Sequence, residues 1–455
     1  MLYGNGLVTA YTYDSRSRLT GMRSGFPDRT PLFDASYTYD ASGNRTGRQE
    51  TVHGNHGTHK TPVTTAYGYD SMNRLVSENC GNSRISYKYD LSGNRISRDT
   101  DGRTENYLYN SRNQLTQLTG DDKNISYTYD PAGNLTEEHS TEHKKIYSYD
   151  TYNRNTEING NDFTQKNHYD AEGYRYSIEE NDKVTNFVYR RGIMLAELDE
   201  AGNQAKTYTL GNEYAGHVSE LNNSLTSENK AASYYITDEQ GSIRYILDQS
   251  GEVQNYYQYS AFGETIISEE TTPNRLRYNT QTEDELTGFY YLRARYYAPG
   301  IGRFTQEDVI YNDGLNLYAY CNSNPVMYSN PSGFAKETCK SKVGGECDSG
   351  SGSETGPYAY LEDEPTVGAG KDFTAAQKQK MLEENMKRNG GVVKSDNPND
   401  YYDVLTKPKK SMKGVTPEPN EWQFDHIKPK DQGGTNSYSN CQIVSRKYNR
   451  EKWNK

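Results

Sequence analysis

The last 34 residues, WQFDHIKPKDQGGTNSYSNCQIVSRKYNREKWNK from Trp422, gather the side chains best suited to chemistry. Asp425 and His426 are adjacent on a stretch, Gln423 to Ile427, that reads as a short strand ended by Lys428-Pro429. Gly433-Gly434 allow a sharp loop, Asn440 follows His426 by 14 residues, and Asn449 follows nine residues later. An unperturbed histidine titrates at about 6.5, so a neutral share can accept a proton from water at cellular pH. Carboxylate and amide oxygens are hard donors that suit Mg2+ or Mn2+ better than structural zinc. Phosphodiester hydrolysis needs both a deprotonated water and a cation that neutralises charge on the phosphoryl oxygens. Lys428, Arg446, Lys447, Arg450 and Lys452 surround these positions and can hold phosphates, adding affinity without base preference. No base-reading element is evident, so weak sequence specificity is expected.

The elements that must carry these residues begin at Lys371. DFTAAQKQKMLEENMKRNGG offers Asp372 or Thr374 as N-cap, sets Phe373, Ala376, Met381, Leu382 and Met386 along one side, and stops at Gly390-Gly391. A helix is expected there, followed by a basic, Pro-punctuated connection, NPNDYYDVLTKPKKSMKGVTPEPNEW. The whole chain has net charge −11, yet from Lys371 to Lys455 there are 17 Lys/Arg against 11 Asp/Glu, leaving an acidic body with a basic tail. A polyanion is the expected partner of the tail alone. Five cysteines, none in a C-x-x-C pair, give neither a disulfide framework nor a thiolate zinc site, and Cys339 and Cys347 read as unpaired thiols.

The order D-H-x-x-P-x-x-x-G-G, then Asn, then N-x-x-K resembles the HNH (ββα-metal) endonuclease motif over about 35 residues, and the wider tail resembles HNH toxin domains found behind Rhs cores. The resemblance implies Asp425 as a metal ligand, His426 as general base, Asn440 as a clamp on the loop and Asn449, on the last helix, as the second metal ligand. It also implies DNA as the favoured nucleic acid. The two C-x-x-C pairs that hold an extra zinc in many relatives are absent. The competing reading is a basic ββα-like scaffold that binds nucleic acid without cutting it.

Ahead of the tail the composition changes character. Tyr supplies 43 of 55 aromatic residues in the 455-residue chain. Without Tyr the 32% hydrophobic fraction falls to about 22%, or about 31% with Gly, against roughly 45–50% for an ordinary globular chain. An aliphatic-cored enzyme is excluded for most of the length, and so many aromatics argue against wholesale disorder. No apolar run approaches a membrane span, and the first residues, MLYGN, carry no export-signal pattern.

Repeats explain the tyrosines. YTYDASGNR at Tyr37, YGYDSMNRL at Tyr67, YKYDLSGNR at Tyr87, YTYDPAGNL at Tyr127 and their neighbours recur, and from Tyr69 to Tyr189 the second Tyr returns every 20 residues. Tyr-x-Tyr puts two rings on one face of a strand, and D-x-x-G-N or D-x-x-N-R supplies turn residues. Single hairpins are marginal in water, so the units are expected to share one long twisted sheet, with the rings as its packing face.

These units resemble the YD repeats of Rhs and teneurin-type proteins, over roughly residues 3–333. YYITDEQGSIRYILDQSGEVQNYYQYSAFGE from Tyr234, TGFYYLRARYYAPGIGRF from Thr287 and LNLYAYCNSNPVMYSNPSG from Leu315 are similar to the Rhs core block that ends before a variable C-terminal domain. The expected fold is therefore mostly β. It comprises a YD-repeat array at 1–200, a core-closing region at 201–333, a flexible linker at 334–370 rich in Gly, Ser and acids, and a small α+β HNH domain at 371–455. The resemblance implies a hollow β-shell that encloses the toxin domain, a cognate immunity protein, export or surface delivery of parent-type proteins, and action in the target-cell cytoplasm. A structural or adhesive repeat protein with a binding tail is the alternative. Some members cut themselves at the end of the core block, which makes Asp308 a candidate residue here. Ala298 and the boundary Asn330-Pro331-Ser332-Gly333-Phe334 depart from that pattern.

Overall fold

The computed structural model describes residues 1–28, 31–52, 62–190, 192–210, 214–220, 230–309, 316–334, 337–338, 357–358, 361, 363, 367–368, 371–389, 391–397, 400–402, 404–408, 417–427 and 435–452. Two compact units divide the chain, Met1–Glu346 and Cys347–Lys455.

The first unit is a mostly β body. Its main sheet has 24 strands, from Val8–Tyr13 to Thr265–Glu270, and successive strands pair antiparallel along the chain. The repeat's turn chemistry shows why. In each D-x-x-G-N turn the Asp carboxylate accepts from the backbone N–H and side-chain amide of the Asn four residues on, as at Asp40 and Asn44 (2.8 and 3.0 Å). In each D-x-x-N-R turn the Arg takes the amide's place, as at Asp70 and Arg74. The residue before it must adopt positive φ, so Gly43 and Gly93 occupy the position in one turn type and Asn73 and Asn153 in the other. Successive turns interlock: Asn44 donates to Asn73, Asn134 to Asn153, and Asn94 to Asn113 of the variant turn Asn110–Gln114.

Tyrosine is used for both ring and hydroxyl. The first Tyr of a unit is buried, as at Tyr37, Tyr87, Tyr107, Tyr127 and Tyr147. The second reaches back to the preceding unit: Tyr39 donates to the Leu19 carbonyl, Tyr69 to Arg45, Tyr89 to Leu75 and Tyr109 to Arg95. A bulge falls at this second Tyr, between Lys88 and Tyr89 for example, and bulges increase local twist. Arg74 stacks over the Tyr89 ring at 4.8 Å and donates to the Asp90 carbonyl, so one side chain ties a turn to the next. Tyr89→Phe keeps the ring under Arg74 and removes the hydroxyl that donates to the Leu75 carbonyl and also meets the Ser323 side chain; we expect a loss of about 1 kcal/mol, read as a lower urea midpoint for the first unit.

The sheet curls until distant strands share a core. Leu7, Leu19, Met22, Phe33 and Tyr37 pack with Ile236, Tyr245, Leu247 and Tyr256. The block after the sheet packs against it: Phe289, Tyr291 and Tyr296 join Tyr107, Leu115, Tyr127 and Tyr147, while Val326, with Phe262 from the sheet's last hairpin turn, joins Tyr67, Leu75 and Ile85. The rings thus serve as packing surface.

The second unit is α+β. Helix α1 (Ala375–Arg388) starts at Thr374, whose hydroxyl accepts from the Gln377 N–H while the Gln377 side chain accepts from Thr374 N, a complete capping box. Its buried stripe is Gln377, Met381 and Asn385, whereas Met386, expected inside, is 36% exposed. The reason is polar pairing: Asn385 donates to the Asp396 carboxylate and the Lys394 carbonyl, and Gln377 donates to the Asn436 carbonyl. Strands Trp422–His426 and Cys441–Ser445 form a two-stranded antiparallel ribbon, and helix α2 (Arg446–Lys452) follows directly. Tyr358, within the stretch read as linker, is fully buried in this unit's core with Phe373, Met381, Leu405, Tyr438 and Ile443.

Candidate nuclease site

The ribbon register sets Asp425 opposite Gln442 and His426 opposite Cys441. Asp425 is 2% exposed, and its carboxylate accepts from the Gln442 side-chain amide at 2.8 Å. Gln423, two residues earlier and so on the same strand face, accepts from the side-chain amide of Asn449 on α2 at 3.2 Å. Asp425 and Asn449 therefore belong to the side of the ribbon that α2 covers. Burial, then the charge of Asp425, pushes the phenol of Tyr448 up, which is consistent with that placement. Both expected ligands are oriented by a second amide, since Gln442 fixes one carboxylate oxygen and Gln423 takes the Asn449 nitrogen, turning its oxygen the other way. Among the described residues no three His, Cys, Asp or Glu side chains gather as a metal cage; the expected donors, Asp425 and Asn449, would offer one carboxylate and one amide oxygen. Those hard donors fit a divalent cation that keeps several waters.

His426 is positioned by groups outside the motif. Its Nε2 lies 3.0 Å from the Lys371 carbonyl, and its ring stacks on Phe373 with centroids 4.2 Å apart at 25°. A carbonyl only accepts, so Nε2 carries the hydrogen and the neutral ring's lone pair falls on Nδ1. Asn440 ends a short 3₁₀ turn, donates from its side chain to the Thr435 carbonyl at 2.8 Å, and accepts at its own carbonyl from the Ile427 N–H at 3.0 Å. Asn440 thereby ties the chain beside His426 to the start of the second strand.

The expected phosphate binders diverge. The Arg446 guanidinium pairs with the buried carboxylate of Glu421 at 2.9 Å and anchors α2 to the ribbon. Lys447 lies 3.9 Å over the ring of Tyr401, and Arg450 is exposed. Lys428 lies outside the described residues, and Lys452 ends α2 with its side chain undescribed. Sequence reasoning missed Lys378 and Lys380 of α1, set near the Phe424 and Tyr438 rings, because helical periodicity alone places them on a solvated face. In the first unit Asp308 is buried and paired with Arg295 at 2.6 Å, and Arg295 also donates to the carbonyls of Gly333 and Phe334. One guanidinium thus joins Asp308 to the boundary segment.

A sheet of stacked Tyr-Asp hairpins, followed by a ribbon and helix that carry Asp-His and Asn, defines a YD-repeat β protein with a C-terminal ββα nuclease-type domain. Residues 5–327 match the model of the Teneurin YD-shell family, and residues 409–455 match that of HNH endonucleases. The chain belongs to the Teneurin YD-shell family and carries a C-terminal HNH endonuclease domain. It is 37% identical over 175 residues to the tRNA3(Ser)-specific nuclease WapA of Bacillus spizizenii, covering 36% of this chain and 7% of that protein. It is 35% identical over 108 residues to the Double-stranded DNA deaminase toxin A of Burkholderia cenocepacia, covering 22% of this chain and 8% of that one. The crystal structure of TcdB2-TccC3-TEV superposes with a TM-score of 0.59 at 21% identity over 73% of this chain and 18% of that chain, a likeness of fold. The chain spans less than a tenth of the length of these curated relatives.

Proposed function

We propose that the C-terminal unit hydrolyses phosphodiester bonds of nucleic acid with a divalent metal, and that the chain is the toxin-bearing part of an Rhs-type polymorphic toxin. The observation that supports this reading is the match of residues 409–455 to the HNH endonuclease model, with the adjacent Asp425 and His426 at the end of one ribbon strand and Asn449 on the helix that follows. His426 Nδ1 accepts the proton of the attacking water. Asp425 and Asn449 hold the cation, magnesium or manganese by donor type, which when bound supplies charge neutralisation at the phosphoryl and leaving oxygens. Arg450, Lys447 and Lys452 favour the backbone of the substrate without selecting bases. DNA is the favoured substrate on the HNH resemblance, with RNA as the rival, since one relative is named a tRNA nuclease. A cognate immunity protein and delivery into a target-cell cytoplasm complete the proposal.

The test incubates the purified chain, and separately residues 347–455, with supercoiled plasmid and with bulk tRNA in Mg2+, Mn2+ or chelator. We expect metal-dependent nicking and linearisation of plasmid with little sequence preference. Cleavage of tRNA alone moves the substrate to RNA. Folded protein that binds both polymers and cuts neither overturns the nuclease reading.

A further inference from the structure

We propose that the segment before α1, composed like a linker, is a positioning strap for the candidate base. Described residues between Asp363 and Phe373 set the orientation of His426 and of the turn that carries Asn440. The inference rests on the nuclease reading and extends it to residues outside the matched HNH region, 409–455.

Four residues of this segment converge on the site. The Lys371 carbonyl takes the Nε2 hydrogen of His426, and the Phe373 ring fixes the imidazole plane. Phe373 is itself buried and directly precedes the Thr374 cap, so the rigid start of α1 holds it. The Asp363 carboxylate accepts from the Tyr438 N–H at 2.8 Å and from the Ser437 hydroxyl, capping the turn that ends at Asn440. The Gly368 N–H donates to the Asn436 side chain at 2.9 Å, while Gln377 of α1 holds the Asn436 carbonyl. Asn440 then passes the constraint back, because its carbonyl binds the Ile427 N–H next to His426.

A general base works only when its lone pair, and not its N–H, faces the water, and imidazole can present either nitrogen. A carbonyl partner selects one tautomer, and a stacked ring selects one plane. Outer partners that orient a ligand histidine at metal sites typically contribute 10–100-fold, and a contribution of that order is expected for this base. A consequence follows for processing: a cut between Asp363 and Lys371 separates the capping carboxylate from the unit, whereas a cut before Tyr358 leaves the strap whole.

The test uses the full chain with Phe373→Leu and Phe373→Tyr, on plasmid and tRNA. Phe373→Leu is expected to lower kcat roughly 10–100-fold with KM unchanged and an altered pH profile, and Phe373→Tyr, which keeps the stacking ring, is expected to restore the rate. In the same chain labelled with 15N-histidine, the His426 resonances, assigned through His426→Gln, should show the Nε2-protonated tautomer, and Phe373→Leu should mix the two. The opposite tautomer in the parent overturns the strap, as does an unchanged kcat in Phe373→Leu beside an inactive His426→Ala. A parent that cuts neither polymer removes the nuclease reading, and the tautomer still decides the strap.

Discussion

His426→Ala leaves a folded chain that binds nucleic acid and does not cut it. A positioned general base contributes typically 10²–10⁴-fold, and no other histidine of the described second unit can take the role, since His426 is its sole histidine. Binding should persist because the cations of α2 and α1 are untouched; the slope of affinity against salt should match the parent's, as that slope counts neutralised phosphates. Stability should fall modestly, since His426 packs on Phe373 and leaves a small cavity there. Both tryptophans, Trp422 and Trp453, lie in this unit, so tryptophan fluorescence checks its fold separately. Asp425→Ala gives a complementary signature: activity falls and is partly recovered at raised Mn2+, because a ligand and not the base has been removed. Parent-level cleavage by His426→Ala, in protein with the parent's fluorescence, removes the imidazole from the mechanism.

Much of the first unit was legible because its repeat encodes local physics. The alternation of Tyr-x-Tyr and the Asp-x-x-Gly or Asp-x-x-Asn turn each constrain residues a few positions apart, and the hairpins they specify are the ones observed. The need for hydroxyls on the second Tyr was less visible, since Tyr39 and Tyr69 bond to carbonyls 20 and 24 residues away. In the second unit the Thr374 cap could be read from its Gln three residues on, while the buried stripe of α1 could not. Asn385 is inside because Asp396 and Tyr358 meet it there, and nothing in the helix's own periodicity reports them. Composition failed in the same way at Asp363 and Gly368. A stretch of Gly, Ser and acids resembles a tether, yet a single carboxylate or N–H that finds a distant turn makes it part of the domain. Arg446 illustrates the converse: its charge and position suggested phosphate, but Glu421, buried on the ribbon, takes its guanidinium.

Asp284→Ala should be among the most damaging single changes in the first unit. Asp284 and Arg175 are fully buried and meet in a two-pronged pair at 2.6 and 2.7 Å, and Asp284 also accepts from Gln165. Arg175 further donates to the Tyr296 hydroxyl at 2.7 Å and lies 4.5 Å over the ring of Tyr291. Burial alone disfavours the charged guanidinium; Asp284 reverses that, holding Arg175 well above its ordinary pKa. Removing the carboxylate leaves a cation without its counter-ion in a low-dielectric interior, a loss of about 3–5 kcal/mol. The pair joins the repeat strand Arg175–Glu180 to the block after the sheet, across 109 residues, so the expected failure is detachment of that block. Circular dichroism should then report an earlier β transition, while tryptophan fluorescence, which sees the second unit only, keeps its midpoint. Arg175→Met combined with Asp284→Leu should recover most of the loss, because replacing a buried pair with apolar groups is often neutral or stabilising. A double-mutant cycle in which the two single changes simply add would show that packing around the pair, and not the pairing of charge, secures the block.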